Sequence, residues 1–268
     1  MSCTMPSVAT LHSLFSSASE IQGAGRIYSR RGSAPVPFCQ TLINLDHLEQ
    51  VLLDEHSCSF PASLLSADEN ELFSSFAYRK RRREWLGGRL AAKAAALKLL
   101  QIDSTPDMMA ALSILPAEDG SPRLSSSILA AATLPVLSIS HSDRFAVAMA
   151  AKAASCGIDI QKISEQTERV AERFSEPGEL QLLLDHAPLL SVKERLTLLW
   201  SAKEALKKAL LHDQPVIFQG VVLRSLTADH SFTLRLNFPG DGNCPAEVTA
   251  MLLEDCILAY TFVRTRHA

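Results

Sequence analysis

The stretch LLWSAKEALKKA, residues Leu198–Ala209, predicts the helix around which the second half of the chain is arranged. Alanine, leucine, lysine and glutamate favour helices, and Ser201 lies where we expect this helix to begin. Residues four positions apart lie on one face of a helix, so Trp200, Glu204 and Lys208 line a single ridge. The helix is therefore predicted to present an apolar anchor, a carboxylate and an ammonium group on one side.

Composition and charge indicate a globular protein and argue against two classes of partner. The chain has 268 residues, a length that suits one large domain or two small ones. Of these residues, 47% are hydrophobic and 21% are charged, as in globular proteins. The 26 basic and 29 acidic residues give a net charge of −3, so no overall positive field favours nucleic acid. No apolar run approaches the roughly 20 residues that cross a membrane. We therefore predict neither nucleic acid nor membrane as a partner.

The cysteines and the N-terminal segment bear on location. The six cysteines are scattered and have no zinc-finger spacing, which favours reduced thiols and a cytoplasmic protein. Residues 1–35 are rich in serine and contain Arg26, Arg30 and Arg31 but only one acid, Glu20. This composition fits a disordered extension, and it also loosely resembles an organelle transit peptide. Both interpretations stay open.

Apolar residues at helical or alternating spacing predict an α+β fold. Helices are predicted over Asp46–Glu55, Leu64–Phe76, Tyr78–Leu100 and within residues 165–210. Strands are predicted over Phe38–Leu45, Ala111–Leu115, Val136–Ile139, Phe145–Ala151, Ser155–Ile160, Val216–Leu223, Phe232–Leu236, Glu247–Leu253 and Ile257–Val263. Ser66 followed by Glu69 predicts a capping box. Gly87 and Gly88 indicate either close packing of the third helix or a later start for it.

The first half of the chain repeats the spacing of the second half 115 positions earlier. The matched pairs are Trp85 and Trp200, Arg89 and Glu204, Lys93 and Lys208, and Asn44 and Asp159. Because a strand and a helix agree in one register, we favour a duplication over a chance match. We predict two similar half-domains, residues 36–153 and 154–268, each a small mixed or antiparallel sheet packed with a long helix. A pseudo-twofold would then place the active site in a cleft between them.

Two carboxylates form a candidate metal site. Asp159 lies at the end of an apolar strand, where the sheet does not require a charge, and Glu204 follows 45 positions later. Two carboxylates that meet suit a hard cation such as Mg²⁺, which takes oxygen ligands and retains waters and substrate phosphates. Spacing alone favours the plainer interpretation, in which the aspartate caps the next segment and the glutamate is solvated.

Two further polar segments have alternative interpretations. Ser140-His141-Ser142 is predicted to form a tight turn between two strands that can hold phosphate, although a histidine in a loop is more often simply solvated. The basic run Arg79–Arg83 is either a solvated helix face or a surface that binds an acidic protein or a phosphate-rich cofactor. A nucleic-acid patch fits less well, because the protein is net acidic.

In combination, these segments resemble the 4′-phosphopantetheinyl transferases, in particular the pseudo-dimeric class that includes the surfactin-synthetase activator. The similar motifs are Gly157-Ile158-Asp159, Trp200–Lys208, Arg83–Lys93, Ser138–Ser142 and Gly120–Arg123. Each motif is weak alone, but their order is specific, and the resemblance spans residues 36–262. It reverses the plainer interpretation of the two carboxylates.

The resemblance implies transfer of the phosphopantetheine arm of coenzyme A to a serine of an acyl or peptidyl carrier protein, with release of 3′,5′-ADP. Such carriers serve fatty acid, polyketide and nonribosomal peptide synthesis. The resemblance also implies Mg²⁺ as cofactor and a monomeric enzyme. The alternative is a non-catalytic module that binds coenzyme A or a carrier protein.

The family's functional positions are carried over residue by residue. Asp159 and Glu204 are implied to hold Mg²⁺, and Glu204 and Lys208 to be catalytic. The residues implied to hold the phosphates of coenzyme A are Arg89, Lys93, Ser140, His141, Lys203 and Lys208. One position departs from the family, because Gln161 stands where many members have a third acidic ligand. We expect a two-carboxylate site in which Gln161 acts through water.

Overall fold

A computed structural model of the protein describes residues 26–27, 36–53, 60–152, 155–210, 218, 220–239 and 245–263. The chain divides into two compact units, Met1–Ala154 and Ser155–Ala268. The predicted extension lies outside the described residues apart from 26–27. Within the described ranges, no helix is both long and apolar enough to cross a membrane.

The first unit combines antiparallel strands with one long helix. Its strands are β1 (Arg26–Ile27), β2 (Val36–Asn44), β3 (Leu112–Pro116), β4 (Pro122–Ser126), β5 (Val136–Ser142) and β6 (Phe145–Ala151). Its helices are α1 (Leu45–Leu53), α2 (Phe60–Leu64), α3 (Ala67–Ser75), α4 (Arg79–Leu100) and α5 (Pro106–Ala110). One sheet has the strand order β1-β2-β6-β5, and β3 pairs with β4.

Helix α4 packs on the sheet of the first unit through its two glycines. A Cβ added to Gly87 would overlap the side chain of Leu45, and one added to Gly88 would lie 2.9 Å from Ile139. The helix continues through both positions, so close packing, and not a later start, explains them. Trp85 fits between the rings of Phe73 and Phe76, with centroid distances of 5.9 and 5.6 Å.

The second unit has a five-stranded antiparallel sheet among its described residues, with the order β7-β11-β10-β9-β8. Its strands are β7 (Ser155–Lys162), β8 (Val222–Ala228), β9 (Phe232–Asn237), β10 (Ala246–Leu253) and β11 (Cys256–Val263). Its helices are α6 (Glu165–Arg169), α7 (Pro177–His186) and α8 (Val192–Leu210). The predicted α+β class is therefore confirmed, with a mainly antiparallel sheet and a long helix in each unit.

Helix α8 begins nine residues before the position expected from the sequence. Ser191 and Glu194 form a capping box, in which the Glu194 carboxylate accepts from the Ser191 amide at 2.6 Å and the Ser191 hydroxyl accepts from the Glu194 amide at 3.3 Å. Ser201 is therefore buried in the middle of the helix. The predicted start was wrong because the stretch with the strongest helix formers is only the second half of α8.

In the described part of each unit, a buried lysine–glutamate pair joins the long helix to a shorter one. In the first unit, the Lys93 ammonium donates to the Glu69 carboxylate at 2.5 Å. It also donates to the carbonyls of Leu64 and Met109, at 2.8 Å each. The other Glu69 oxygen accepts from the Ile114 amide at 3.0 Å. Both side chains are fully buried, and a buried charge is tolerated only when it is paired and hydrogen-bonded.

The second unit builds the same arrangement from different neighbours. The Lys203 ammonium donates to Glu179 at 2.8 Å and to the carbonyl of Phe174 at 2.7 Å. Glu179 also accepts from the Leu223 amide at 2.6 Å. The pKa of both lysines is lowered, because the effect of burial exceeds the opposite effect of the neighbouring glutamates.

These pairs correct the register of the repeat. Lys93 and Lys203 are 110 positions apart, and so are Glu69 and Glu179. The predicted register of 115 positions instead matched Lys93 with Lys208 and Arg89 with Glu204, and it was wrong because it aligned tryptophans with different surroundings. A duplication is still supported, since in each unit the first long strand pairs with the last strand, and the last strand pairs with the one before it. The predicted pseudo-twofold and cleft stay predictions.

Breaking either buried pair is expected to destabilise the fold strongly. Lys203→Met should lower the free energy of unfolding by about 3–5 kcal/mol, because it leaves the Glu179 carboxylate buried without its cation. Urea denaturation of the purified protein measures this loss. Lys98→Met is the matched control on an exposed position of α4, and it should change stability by less than about 0.5 kcal/mol. Similar losses for both variants would contradict the structural role of Lys203.

Candidate active site

Strand β7 and helix α8 bring Asp159 and Lys208 into direct contact. Gly157 allows this approach, because a Cβ at that position would overlap the carbonyl oxygen of Ala205. The Lys208 ammonium donates to Asp159 Oδ1 at 2.8 Å and to the carbonyl of Ile158 at 3.2 Å. Only 7% of the Asp159 side chain is exposed, so this ion pair is largely shielded from solvent.

Glu204 lies one helical turn before Lys208 and shares its electrostatic environment. The pKa of Glu204 is raised, first by burial and next by the negative charge of Asp159. The charges of Lys208 and Lys207 act in the opposite direction. The negative charge of Asp159 therefore acts on Glu204, whereas a shared metal ion between the two carboxylates stays a prediction.

Gln161 extends this set of oxygen atoms. It follows Asp159 by two positions in β7, so both side chains lie on the same face of the strand. Among the described residues, no three histidine, cysteine, aspartate or glutamate side chains form a metal-binding group. Two carboxylates and an amide fit a hard cation that keeps several waters, which is the behaviour of Mg²⁺.

Lys203 and Lys93 do not occupy the positions that the sequence suggested. Both were expected to hold phosphates of coenzyme A, yet each is buried in a helix-to-helix ion pair. Lys203 is the immediate neighbour of Glu204, but it lies about 100° around the helix and points into the core. That Lys203 faces the core while its neighbour Glu204 does not becomes clear only from the ion pair between Lys203 and Glu179.

Arg89 is held within the first unit by two contacts. Its Nε donates to the carbonyl of Ile114 at 2.8 Å, and its guanidinium lies 4.8 Å from the ring centre of Trp85. Burial lowers the pKa of Arg89 to about 10, so the side chain remains a cation at neutral pH. A contact between Arg89 and a phosphate stays a prediction.

The Ser140-His141-Ser142 segment belongs to a strand and not to a turn. Strand β5 continues to Ser142, and the turn to β6 is formed by Asp143 and Arg144. Asp143 has a φ of 48°, in the left-handed region that aspartate tolerates better than most residues. Ser140 is buried and His141 is exposed, so the two side chains lie on opposite faces of the strand. They cannot both face the same phosphate from this strand without rearrangement.

The basic run at the start of α4 divides into paired and unpaired residues. Arg79 and Arg83 each form an ion pair with Glu49 at 2.7 Å. Arg81 and Arg82 are exposed and lie over the rings of Phe76 and Phe73, at 5.5 and 4.6 Å. Neither of these two forms an ion pair within the described part of the chain.

Two buried carboxylates, one in each unit, were not recognised from the sequence. Glu179 was not singled out, although Glu176 and Glu179 form a capping box at the start of α7. Glu84 was read only as part of a motif, yet its carboxylate lies 3.9 Å from the Nδ1 atom of His141. Glu176 is not the serine or threonine that marks a capping box in sequence, so the local sequence does not single out Glu179. Nothing in the local sequence indicates the contact between Glu84 and His141 either.

Comparison with known proteins links both units to one superfamily. The protein-family model described as the 4′-phosphopantetheinyl transferase superfamily matches residues 155–250. The model of the 4′-phosphopantetheinyl transferase N-terminal domain matches residues 68–151. The two matches leave only residues 152–154 between them, and they contain the candidate site residues of both units. No curated protein sequence matches the chain.

Solved structures with similarity to the chain include two holo-acyl-carrier-protein synthases. The synthase from Bacillus anthracis str. Ames, in complex with CoA (3′,5′-ADP), is 26% identical with a TM-score of 0.36, over 42% of this chain and 92% of that one. The synthase from Plasmodium yoelii is 19% identical with a TM-score of 0.35, over 42% of this chain and 91% of that one.

Glu204→Gln is expected to stabilise the protein at neutral pH when metal is removed by EDTA. A raised pKa means that the folded state binds the proton more tightly than the unfolded state, so ionisation costs stability as pH rises above the ordinary value of 4.5. The variant lacks this cost. Thermal unfolding at pH 4 and pH 8 should show equal stability at the lower pH and a more stable variant at the higher one. A variant that is equally destabilised at both values would contradict this account.

Proposed function

The chain belongs to the 4′-phosphopantetheinyl transferase superfamily, and from this premise we propose that it converts apo carrier proteins to their holo forms with coenzyme A as donor. The observation that carries the proposal is the joint placement of Asp159, Glu204 and Lys208 within the matched residues 155–250. A carrier-protein serine would receive the phosphopantetheine arm, and 3′,5′-ADP would leave.

The proposed step is a substitution at the pyrophosphate of coenzyme A. The serine hydroxyl oxygen forms a bond to the phosphorus that bears the pantetheine arm. The bond from that phosphorus to the bridging oxygen breaks, and its electron pair leaves with 3′,5′-ADP. Positioning and neutralisation of charge dominate such transfers, because the protein forms no covalent bond of its own.

Glu204 is the residue best placed to accept the serine proton. Burial and the charge of Asp159 raise the pKa of Glu204, which makes its carboxylate a better proton acceptor than a solvated one. Lys208 supplies a positive charge beside both carboxylates and would stabilise the negative charge that develops on the leaving phosphate. Proton acceptance and charge neutralisation are thus divided between two residues one turn apart on α8.

The metal-binding part of the proposal uses the oxygen atoms of β7 and α8. Asp159 and Glu204 would hold Mg²⁺, with Gln161 acting through water, and the bound ion would neutralise the pyrophosphate. Two carboxylates favour this cation without requiring a third acid. Lys203 and Lys93 are not included in the proposed site, because both ammonium groups are used inside the core.

The proposal for coenzyme A binding and for the carrier protein draws on the first unit. Arg89, Ser140 and His141 are proposed to approach the phosphates of coenzyme A, with His141 at the 3′-phosphate. Arg81 and Arg82 are proposed to attract an acidic carrier protein, since they are exposed and make no ion pair among the described residues. The match of the N-terminal domain model supports assignment to the larger, two-half class. We further propose a cytoplasmic monomer; the buried cysteines Cys39, Cys156 and Cys256 form no disulfide among the described residues, which is compatible with a reducing compartment.

A transfer assay tests the proposed function against a module that only binds coenzyme A or a carrier. The protein is incubated with coenzyme A, Mg²⁺ and an apo carrier protein, and mass spectrometry measures the carrier. We expect a gain of one phosphopantetheine arm, and a loss of rate of about 10²- to 10⁴-fold for Glu204→Gln. Glu168→Gln, an exposed position of α6, is the matched control and should retain the wild-type rate.

Two outcomes would contradict the proposal. Tight binding of coenzyme A without a mass gain on several fatty acid, polyketide and peptide carriers would favour the binding module. Full activity of Glu204→Gln would show that the carboxylate pair is not the site of transfer.

The position of Gln161 makes a separate prediction about metal affinity. Gln161→Glu adds a third negative charge to the same strand face as Asp159, so the variant should need about tenfold less Mg²⁺ for half-maximal transfer. Titration of Mg²⁺ in the transfer assay measures this directly. Gln181→Glu adds the same charge on α7, outside the oxygen set, and serves as the control. Identical Mg²⁺ curves for wild type and Gln161→Glu would show that Gln161 lies outside the metal site.

A further inference from the structure

A cavity in the first unit contains none of the candidate active-site residues. It has a volume of about 360 Å³ and lies between α1, α2, α3 and the start of α4. Its apolar lining includes Leu52 and Leu53 of α1, Pro61 of α2 and Phe73 of α3. Phe73 is buried, whereas 62% of Leu53 is exposed. A ligand that covers Leu53 must therefore extend over the surface around the cavity.

The charged residues that line this cavity are mostly cations. Arg79, Arg82 and Arg83 contribute to it together with one acid, Glu49. Glu49 is paired with Arg79 and with Arg83, at 2.7 Å each. Arg82 is exposed and forms no ion pair with a described residue, so its charge is the one left to attract an anion.

The contact between Arg82 and Phe73 leaves the guanidinium ready to bind a carboxylate. The guanidinium carbon lies 4.6 Å from the centre of the Phe73 ring. A guanidinium that lies over an aromatic ring uses its flat face, and its N–H groups at the edge stay available as donors. An apolar wall and a hydrogen-bond donor for an anion therefore adjoin each other.

The second unit builds an equivalent cavity without this cation. That cavity has a volume of about 330 Å³ and lies between α6, α7 and the start of α8. Three of its lining residues match lining residues of the first cavity in the repeat of 110 positions: Pro61 and Ala171, Phe73 and Leu183, and Arg82 and Val192. Because valine takes the place of Arg82 there, the fold itself does not require a cation at this position. The charge of Arg82 therefore favours a role in recognition.

We propose that the cavity of the first unit is a docking site for an acidic amphipathic helix of a partner protein. An apolar side chain of that helix would pack against Leu52 and Phe73, and a neighbouring carboxylate would bind Arg82. Amphipathic helices commonly dock in apolar grooves in this way, and their remaining surface covers the groove's rim. The inference goes beyond the proposed function, because attraction of a carrier by charge alone needs no apolar anchor, and this docking needs neither coenzyme A nor the active site.

Binding of a synthetic peptide to the full chain tests the inference. The probe is a fluorescein-labelled peptide of about 16 residues of glutamate, alanine and leucine, with the leucines on one helical face. A second peptide of the same composition has its leucines spread around the helix. Fluorescence anisotropy should show one-to-one binding of the first peptide, about tenfold tighter than that of the second. Added NaCl should weaken the binding, because a charge pair contributes to it.

Substitutions at exposed positions assign the binding to the cavity. Leu53→Asp and Arg82→Glu should each raise the Kd of the first peptide about tenfold, because one places a charge on the apolar wall and the other repels the carboxylate. Lys98→Glu makes the same kind of charge reversal at an exposed position further along α4, and Val192→Glu alters the equivalent cavity of the second unit. Both controls should leave the Kd unchanged. Thermal unfolding of all four variants checks that they are folded.

Several results would overturn the inference. They are absence of peptide binding, equal affinity for the two peptides, an unchanged Kd in Leu53→Asp or Arg82→Glu, and an equal loss in Lys98→Glu or Val192→Glu. Binding of decanoate, without binding of the peptide, would assign the cavity to a small amphiphilic anion and would overturn the inference as well. Absence of phosphopantetheine transfer would contradict the proposed function alone, because the peptide assay contains neither coenzyme A nor a carrier.

Discussion

The close approach of helix α8 to strand β7 is the constraint on which the candidate site depends. Gly157 has no side chain, and any Cβ there would collide with the backbone of Ala205. The absence of a single methyl group therefore lets the helix lie directly on the strand. Asp159, two residues further along the same strand face, then comes within 2.8 Å of Lys208. Glu204, one turn away, is near enough to feel the charge of Asp159. The close approach of the strand and the helix therefore brings two carboxylates and a lysine together.

The two buried lysine–glutamate pairs hold the long helices in these positions. In each unit, the glutamate belongs to the capping box of a shorter helix and also accepts a backbone amide from the following strand. The lysine of the long helix then completes the arrangement. The pair thus joins three elements with one carboxylate, and its burial makes the geometry costly to alter. In the second unit, the lysine directly precedes Glu204, so the same turn of helix anchors α8 in the core and presents the carboxylate at the site.

The elements were predictable where the local signal was strong, and the contacts between them were not. The capping box of Ser66 and Glu69, the strands on either side of the β5–β6 turn and the long helix from residue 79 to 100 all follow from spacing and turn chemistry. The start of α8 was misplaced because the capping signal at Ser191 and Glu194 is weaker than the run of helix formers after Leu198. The register of the repeat was wrong because matching tryptophans have different neighbours, with Trp85 between Phe73 and Phe76 and Trp200 between Phe174 and Phe218.

The sequence by itself determined the fold class through periodicity and the family resemblance through the order of its motifs, because both are properties of the chain. Only the tertiary structure separated the lysines by role. Lys93 and Lys203 occupy motif positions like that of Lys208, but burial beside a glutamate makes them structural, whereas Lys208 reaches Asp159 and remains partly exposed. The same holds for Glu84, whose proximity to His141 arises from the packing of α4 on the sheet. The role of an ammonium or carboxylate group depends on which charged partner lies within a few ångströms. That partner comes from a distant part of the chain, so the local sequence does not reveal it.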